Sequence, residues 1–230
     1  MGLRDYKSGL RDGLAIGLGY LSVAFSFGIN AVNGGLAIWQ AVLISMFNVT
    51  SAGQLAGLEL MLKLAPLLEM VLVQLTINIR YSLMSISLSQ KLDRDMSTLH
   101  RLAISFVNTD EVFAVASARE GLLNRHYLYG LITMPYLGWA LGTLLGAVAG
   151  EIMPGVVTRA LGIMIYAMFV AIVLPPSKKY RPIRVVALTA AALSIALYSL
   201  PIPGLGGLSI VVCAVAAASL GAWLFPVEEG

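Results

Sequence analysis

Eight long apolar runs, each bounded by turn-forming or basic residues, constrain this chain more than any other feature. They cover 13–32, 36–62, 66–90, 102–118, 127–150, 156–175, 183–200 and 207–225. Wound as helices, runs of about 20 apolar residues match the roughly 30 Å hydrocarbon core of a bilayer. In lipid, only segments that satisfy their own backbone hydrogen bonds can span. Charged residues make up 12% of the chain, about half the share of a soluble domain. The fold class expected is therefore all-α, a polytopic membrane helical bundle. A single transmembrane domain is predicted over 1–230. Residues 1–12 read as a cytoplasmic tail, 13–120 as a repeat pair carrying the site, and 121–230 as a four-helix packing region.

Two of the eight runs are interrupted near their centres by polar, helix-unfriendly residues. One break is Asn48-Val49-Thr50-Ser51-Ala52-Gly53-Gln54, the other Asn108-Thr109-Asp110-Glu111. Ile44–Thr50 echoes Ile104–Asp110 at an offset of about sixty residues, and the same offset lays the first run over the third. This predicts two broken or re-entrant helices and a possible inverted repeat in the N-terminal half, an arrangement used by many transporters. Charge favours the re-entrant version. If every run crosses, Lys91, Arg94, Arg101 and Arg159 fall outside; if the two broken runs dip and return, only Lys63 and Arg159 do. The second count better obeys the excess of Lys and Arg on cytoplasmic connections. Asn33-Gly34-Gly35, Pro154-Gly155, Pro175-Pro176 and Pro201–Gly204 supply the remaining breaks.

Arg80 lies inside the apolar run 66–90. An arginine at the bilayer centre costs about 2.5–3.5 kcal/mol on insertion scales, so it is expected to face protein or a wet cavity and to mark a polar pathway. Either it pairs with Asp110, Glu111 or Glu69 to fix the bundle, or its planar fork clamps a carboxylate. Asp110 and Glu111 open a helix-like stretch, where Asn108 and Thr109 can cap free N–H groups and the positive helix end favours the acids. They are candidates for ammonium binding or proton coupling. Thr50, Ser51, Gly53 and Gln54 stand at the other break, where exposed N–H groups favour an anionic group such as a carboxylate. The bland alternative is that these small residues only let helices pass closely.

Gly138, Gly142, Gly146 and Gly150 recur every four residues and predict close helix packing, with the neighbour undetermined. Glu59 and Lys63 read as a structural i,i+4 pair. Trp39, Trp139 and Trp223 read as core and interface anchors. No cofactor or metal site is expected: the single cysteine, Cys213, stands in an apolar run, and His100 and His126 lie in connections. No nucleophile–base pairing suggests an enzyme. The net charge of +3 sits in connections without interleaved aromatics, so nucleic acid is not an expected partner.

The motifs GLGYLSVAFSFG, SMFNVTSAGQLAG, NIRYSLMSISLSQ and NTDEVFAVA, in that order over roughly residues 10–120, resemble the AzlC family of branched-chain amino-acid exporters. Residues 121–230 match it in hydropathy and length. The chain departs from the family near Leu21, where an early proline is common, and at Leu55, where an aromatic is common; this bears on substrate more than on fold. The resemblance implies a large subunit working with a small membrane protein of about four spans. Together they would export leucine, isoleucine, valine or methionine. It implies working roles for Thr50, Ser51, Gly53, Gln54, Asn78, Arg80, Thr109, Asp110 and Glu111.

The expectation is a secondary exporter of small apolar amino acids in a bacterial or archaeal cytoplasmic membrane. Thr50, Ser51, Gly53, Gln54, Asn78, Arg80, Asn108 and Thr109 would contact substrate, with Asp110 or Glu111 meeting the ammonium or carrying a proton. The competing readings are a channel for a small solute or ion, and a non-transporting scaffold subunit. Convergence of Arg80, Asp110 and the break at 50–53 in one cavity separates the first reading from dispersal.

Overall fold

A computed structural model describes residues 2–154, 156–157, 164–199 and 208–226. The helices are α1 (Gly2–Asn33), α2 (Ile38–Phe47), α3 (Ser51–Leu62), α4 (Leu67–Ser89), α5 (Thr98–Ser105), α6 (Asp110–Ala118), α7 (Arg125–Ile152), α8 (Met164–Lys179), α9 (Arg181–Ser199) and α10 (Leu208–Leu224). Among the described residues there is no strand, only an isolated bridge between Leu92 and Leu123. The fold is an all-α membrane bundle. α1, α4, α7 and α9 are long and apolar enough to cross a bilayer. Gly155, Arg159 and the Pro201–Gly204 breaker lie outside the described residues.

Residues 2–12, expected as a tail, are the first turns of α1. At 1.5 Å per residue, α1 is roughly 48 Å long, more than the hydrocarbon requires. Its polar start is tied down: Asn124 donates to Asp5 at 3.0 Å, and the Arg119 guanidinium lies 3.5 Å from Asp12 and stacks over the Tyr127 ring.

The chain forms two compact units, Met1–Leu55 with Asn78–Met164, and Ala56–Ile77 with Ile165–Gly230. The first is organised by α1 lying along α7. Gly9 meets Tyr127 and Leu131, Gly17 meets Met134 and Gly138, and Gly28 meets Thr143 and Ala147, so the two helices run parallel. A Cβ on Gly17 would stand 2.6 Å from the Met134 carbonyl oxygen, and one on Gly142 would stand 2.9 Å from the Leu21 Cα. Backbones touch here because neither side presents a side chain. The glycine stripe of α7 thus packs within the chain, against a second stripe of Gly9, Gly13, Gly17 and Gly28.

Both broken segments turn back at their breaks. After α1, Gly35 takes a left-handed turn (φ +98°) that starts α2 beside the C-terminal end of α1. α2 then descends until Ser45 meets Thr143 and the Met46 carbonyl accepts from Tyr136. A straight continuation through residues 48–50 would carry Gln54 roughly 18 Å from Ser45. Their side chains instead hydrogen-bond at 2.8 Å, which requires the chain to fold back. α5 and α6 form the mirror arrangement from the other end. Lys91 donates to the Ser117 carbonyl, Leu123 donates to the Lys91 carbonyl, and Arg101 bonds the Met96 and Asp93 carbonyls. Residues 91–101 and 117–124 therefore share one end, while Asn108 at the tip reaches Ser85. With 8 and 9 residues, α5 and α6 are each about 12–14 Å long and reach halfway through a hydrocarbon core of about 30 Å.

Between Asn78, beside Thr50, and Leu92, beside Leu123, α4 runs opposite to α1. One re-entrant hairpin enters from each end, as an inverted repeat requires. The end holding the α1 and α7 N-termini carries Arg4, Lys7, Arg11, Lys91, Arg94, Arg101, Arg119 and Arg125. Residues 30–38 and 149–154 at the opposite end carry no lysine or arginine. An excess of Lys and Arg at one end is the pattern found on cytoplasmic faces.

In the second unit α9 packs on α10, with Gly221 against Val186, and Gly57 of α3 faces Gln74 of α4. Glu59 and Lys63 pair at 2.7 Å on an exposed surface, the i,i+4 contact expected of them.

Candidate functional site

Arg80 lies two residues after Asn78 in α4, and its Nη1 lies 2.7 Å from Asp110 Oδ2 at the beginning of α6. Thr109 is extended (φ −80°, ψ 171°), so helical geometry begins at the aspartate. Thr109 occupies the N-cap position, yet its hydroxyl makes no capping bond, in contrast to the capping role expected of it. The two acids stand in the first turn of α6, where the positive helix end stabilises them. The Arg80–Asp110 pair is half exposed, 45% and 44%.

From the arginine a polar chain runs to the other break. Arg80 Nη2 donates to the Tyr81 hydroxyl at 3.2 Å, Tyr81 donates to Thr50 at 3.3 Å, and Thr50 donates to Asn78 Oδ1 at 3.0 Å. The guanidinium also lies 4.9 Å from the Tyr81 ring centroid. Asp110, Arg80, Tyr81, Thr50 and Asn78 therefore join the two hairpin tips.

Glu111 takes a different partner. The Tyr20 hydroxyl of α1 donates to its carboxylate, and the Tyr20 ring packs edge-on against Trp139 at 5.0 Å. Trp139 Nε1 in turn donates to Gln54 Oε1 at 2.9 Å, Gln54 Nε2 donates to Ser45 at 2.8 Å, and Ser45 shares a 2.6 Å bond with Thr143. Ser45, Gln54, Thr143 and Trp139 are each at most 2% exposed. The Trp139 N–H, the Gln54 carbonyl and both hydroxyl oxygens of that network each have a partner. A buried network so satisfied holds the first tip rigidly to α7.

Between the tips lies a cavity of about 250 Å³, lined by Asn48, Thr50, Asn78, Tyr81, Ser105 and Asn108, with Phe47 and Phe106 at its sides. Asn108 is 4% exposed; its Nδ2 donates to Ser85 at 3.0 Å, and its Oδ1 has no hydrogen-bond partner. Ser51 and buried Gly53 lie in the first turn of α3, behind Thr50.

Of the residues singled out from sequence, Thr50, Asn78 and Asn108 line the central cavity. Arg80 and Asp110, expected in that same cavity, pair beside it and reach it through Tyr81. Thr109 and Glu111 flank Asp110 with Glu111 turned to Tyr20, and Gln54 is turned into the α7 network. Tyr20, Tyr81, Ser45, Ser85 and Thr143 were missed, and Trp139 was read only as an anchor. One signal was available: Tyr81 directly follows the intramembrane arginine, and Tyr20 stands mid-span between glycines.

Two half-depth hairpins meeting over charged side chains, inside helices fit to span lipid, define a multi-pass membrane protein with a polar centre. The chain belongs to the AzlC protein family, a family associated with membrane transport, whose model matches residues 15–153. It is 28% identical over 220 residues to the inner membrane protein YgaZ of Escherichia coli (strain K12), covering 92% of this chain and 89% of that one. A membrane protein of Archaeoglobus fulgidus, described as uncharacterized, is 30% identical over 220 residues, covering 95% and 94%. Another of that description from Helicobacter pylori (strain 26695) is 28% identical over 153 residues, covering 65% and 66%. No solved structure matches the chain.

Proposed function

We propose that this protein is the transporting subunit of a secondary exporter for small aliphatic amino acids, working with a small membrane partner and coupled to protons. The observation that carries this reading is the Arg80–Asp110 pair standing beside a polar cavity lined from both tips and joined to it through Tyr81. A zwitterion needs both of its charges matched when it leaves water, and an apolar wall then selects the side chain. Arg80 and the N–H groups at the start of α3 receive the carboxylate. Asp110 exchanges Arg80 for the substrate ammonium, so one carboxylate replaces another and no net charge is stranded in lipid. Glu111 has no cationic partner among the described residues within 4 Å and carries the coupling proton. Thr50, Ser51, Gly53, Asn78 and Thr109 shape the tips, and Gln54 keeps the first tip in register.

Efflux of preloaded valine, measured in cells or vesicles carrying Arg80→Ala or Asp110→Asn, tests the reading. Both substitutions should abolish uphill efflux while the protein still inserts. Wild-type rates in both would remove the mechanism. A flux that no proton gradient can drive uphill would make the protein a channel. Loss of assembly alone would make it a scaffold.

A further inference from the structure

A second cavity, of about 170 Å³, opens between α4 and α5 on the basic side of the first unit. Leu88, Leu92, Leu102 and Ile104 give it apolar walls, and Arg101 stands at its outer end. The Arg101 guanidinium is held by the Met96 and Asp93 carbonyls at 3.0 and 3.3 Å and, among the described residues, by no carboxylate. Its charge is oriented and unneutralised. Ser105 and Asn108 line both this cavity and the central one, so the two hollows meet at a single partition. Within that partition Asn108 donates to Ser85 at 3.0 Å. Asn108 Oδ1, in the same partition, is buried without a donor and becomes reachable when the Asn108 side chain turns.

A buried acceptor left unsatisfied is a standing loss that a donor arriving along the cavity removes. A primary ammonium, with three N–H donors and a positive charge, forms the stronger charge-assisted kind of bond there. Arg101 behind it offers a partner for a carboxylate, and the leucine walls suit an aliphatic side chain. We propose that this cavity is a cytoplasmic waiting site for a small ammonium-bearing aliphatic molecule. Asn108 is its ammonium acceptor, and the Asn108–Ser85 bond is the door to the central cavity. The inference rests on the transport reading above and specifies the cytoplasmic half of its route.

The experiment places one cysteine at the partition, Ser105→Cys in a Cys213→Ser background, and follows its reaction with a membrane-impermeant maleimide in sealed vesicles. Inside-out vesicles should label and right-side-out vesicles should not. Valine, and isobutylamine, which lacks the carboxylate, should slow labelling several-fold, whereas isovalerate, which lacks the ammonium, should not. Adding Asn108→Leu should remove the protection and keep the labelling. Ser89→Cys, nearer the mouth, gives the same readout if the first cysteine is poorly tolerated. Labelling from the outer side only, equal protection by isovalerate, or protection that survives Asn108→Leu would each overturn the proposal. None of these readouts needs turnover, so they stand apart from the valine-efflux result.

Discussion

Replacing Gly142 with alanine pits two effects of opposite sign against each other. Alanine is favoured over glycine in a helix by about 0.8–1.0 kcal/mol, which argues for stabilisation. At this position, however, the new methyl would lie 2.9 Å from the Leu21 Cα and 3.0 Å from the Ala24 Cβ, with the Leu21 carbonyl oxygen nearer still. Backbone atoms cannot rotate away, so α1 must retreat by roughly 0.5–1 Å, a gap that forfeits a quarter to a half of each dispersion contact along the seam. Overpacking of this kind costs about 1–3 kcal/mol, and against the propensity gain we expect a net loss of up to about 2 kcal/mol. Gly19→Ala is the internal control: no atom lies within 4 Å of its added Cβ, so only the propensity gain of up to about 1 kcal/mol acts. Unfolding in detergent micelles, titrated with SDS and followed by tryptophan fluorescence, reads both variants. Equal midpoints for Gly142→Ala and Gly19→Ala would refute the backbone-contact account of the α1–α7 seam.

Tyr20→Phe keeps the ring against Trp139 and removes only the donor to Glu111; proton-driven valine efflux should fall at least severalfold while stability drops by no more than about 3 kcal/mol, the upper figure for a hydrogen bond to a charged group. Gln54→Leu strands the Trp139 N–H and a Ser45 lone pair in a dry site, and should cost about 2–4 kcal/mol on the same titration, two unsatisfied groups at about 1–2 each. Lys63→Ala should move the midpoint by less than about 0.5 kcal/mol, because the Glu59 pair is exposed and screened.

The breaks at 48–54 and 108–111 were legible because polar residues stand out against lipid-soluble neighbours. The re-entrant arrangement was legible because a dip and a crossing leave Lys91, Arg94 and Arg101 on opposite sides. Arg80 and Asp110 were each visible as costly groups, but Asp110, Glu111 and Glu69 all stood open as the arginine's partner, and only the fold selects Asp110. What could not be read was which face of a short helix each polar side chain takes. Gln54 and Thr50 stand four residues apart at one break, yet the first turns into α7 and the second toward the cavity. Hydroxyls carried on tyrosines pass as core in a hydropathy reading, which is why Tyr20 and Tyr81 stayed hidden. The α7 glycine stripe announced a close neighbour without naming it. Its match in α1 was masked because Gly9 fell in a stretch read as a polar tail.

The α1–α7 seam also sets a timetable for biogenesis. Gly17 and Gly138, which meet in the finished protein, are 121 positions apart (138 minus 17), so a ribosome working at about 5–20 residues per second emits the second roughly 6–24 s after the first. Throughout that interval the opening helix must wait in the translocon or the bilayer with its notched flank facing lipid or an insertase. A truncated nascent chain ending before residue 125 should therefore be the form most exposed to membrane quality-control proteases.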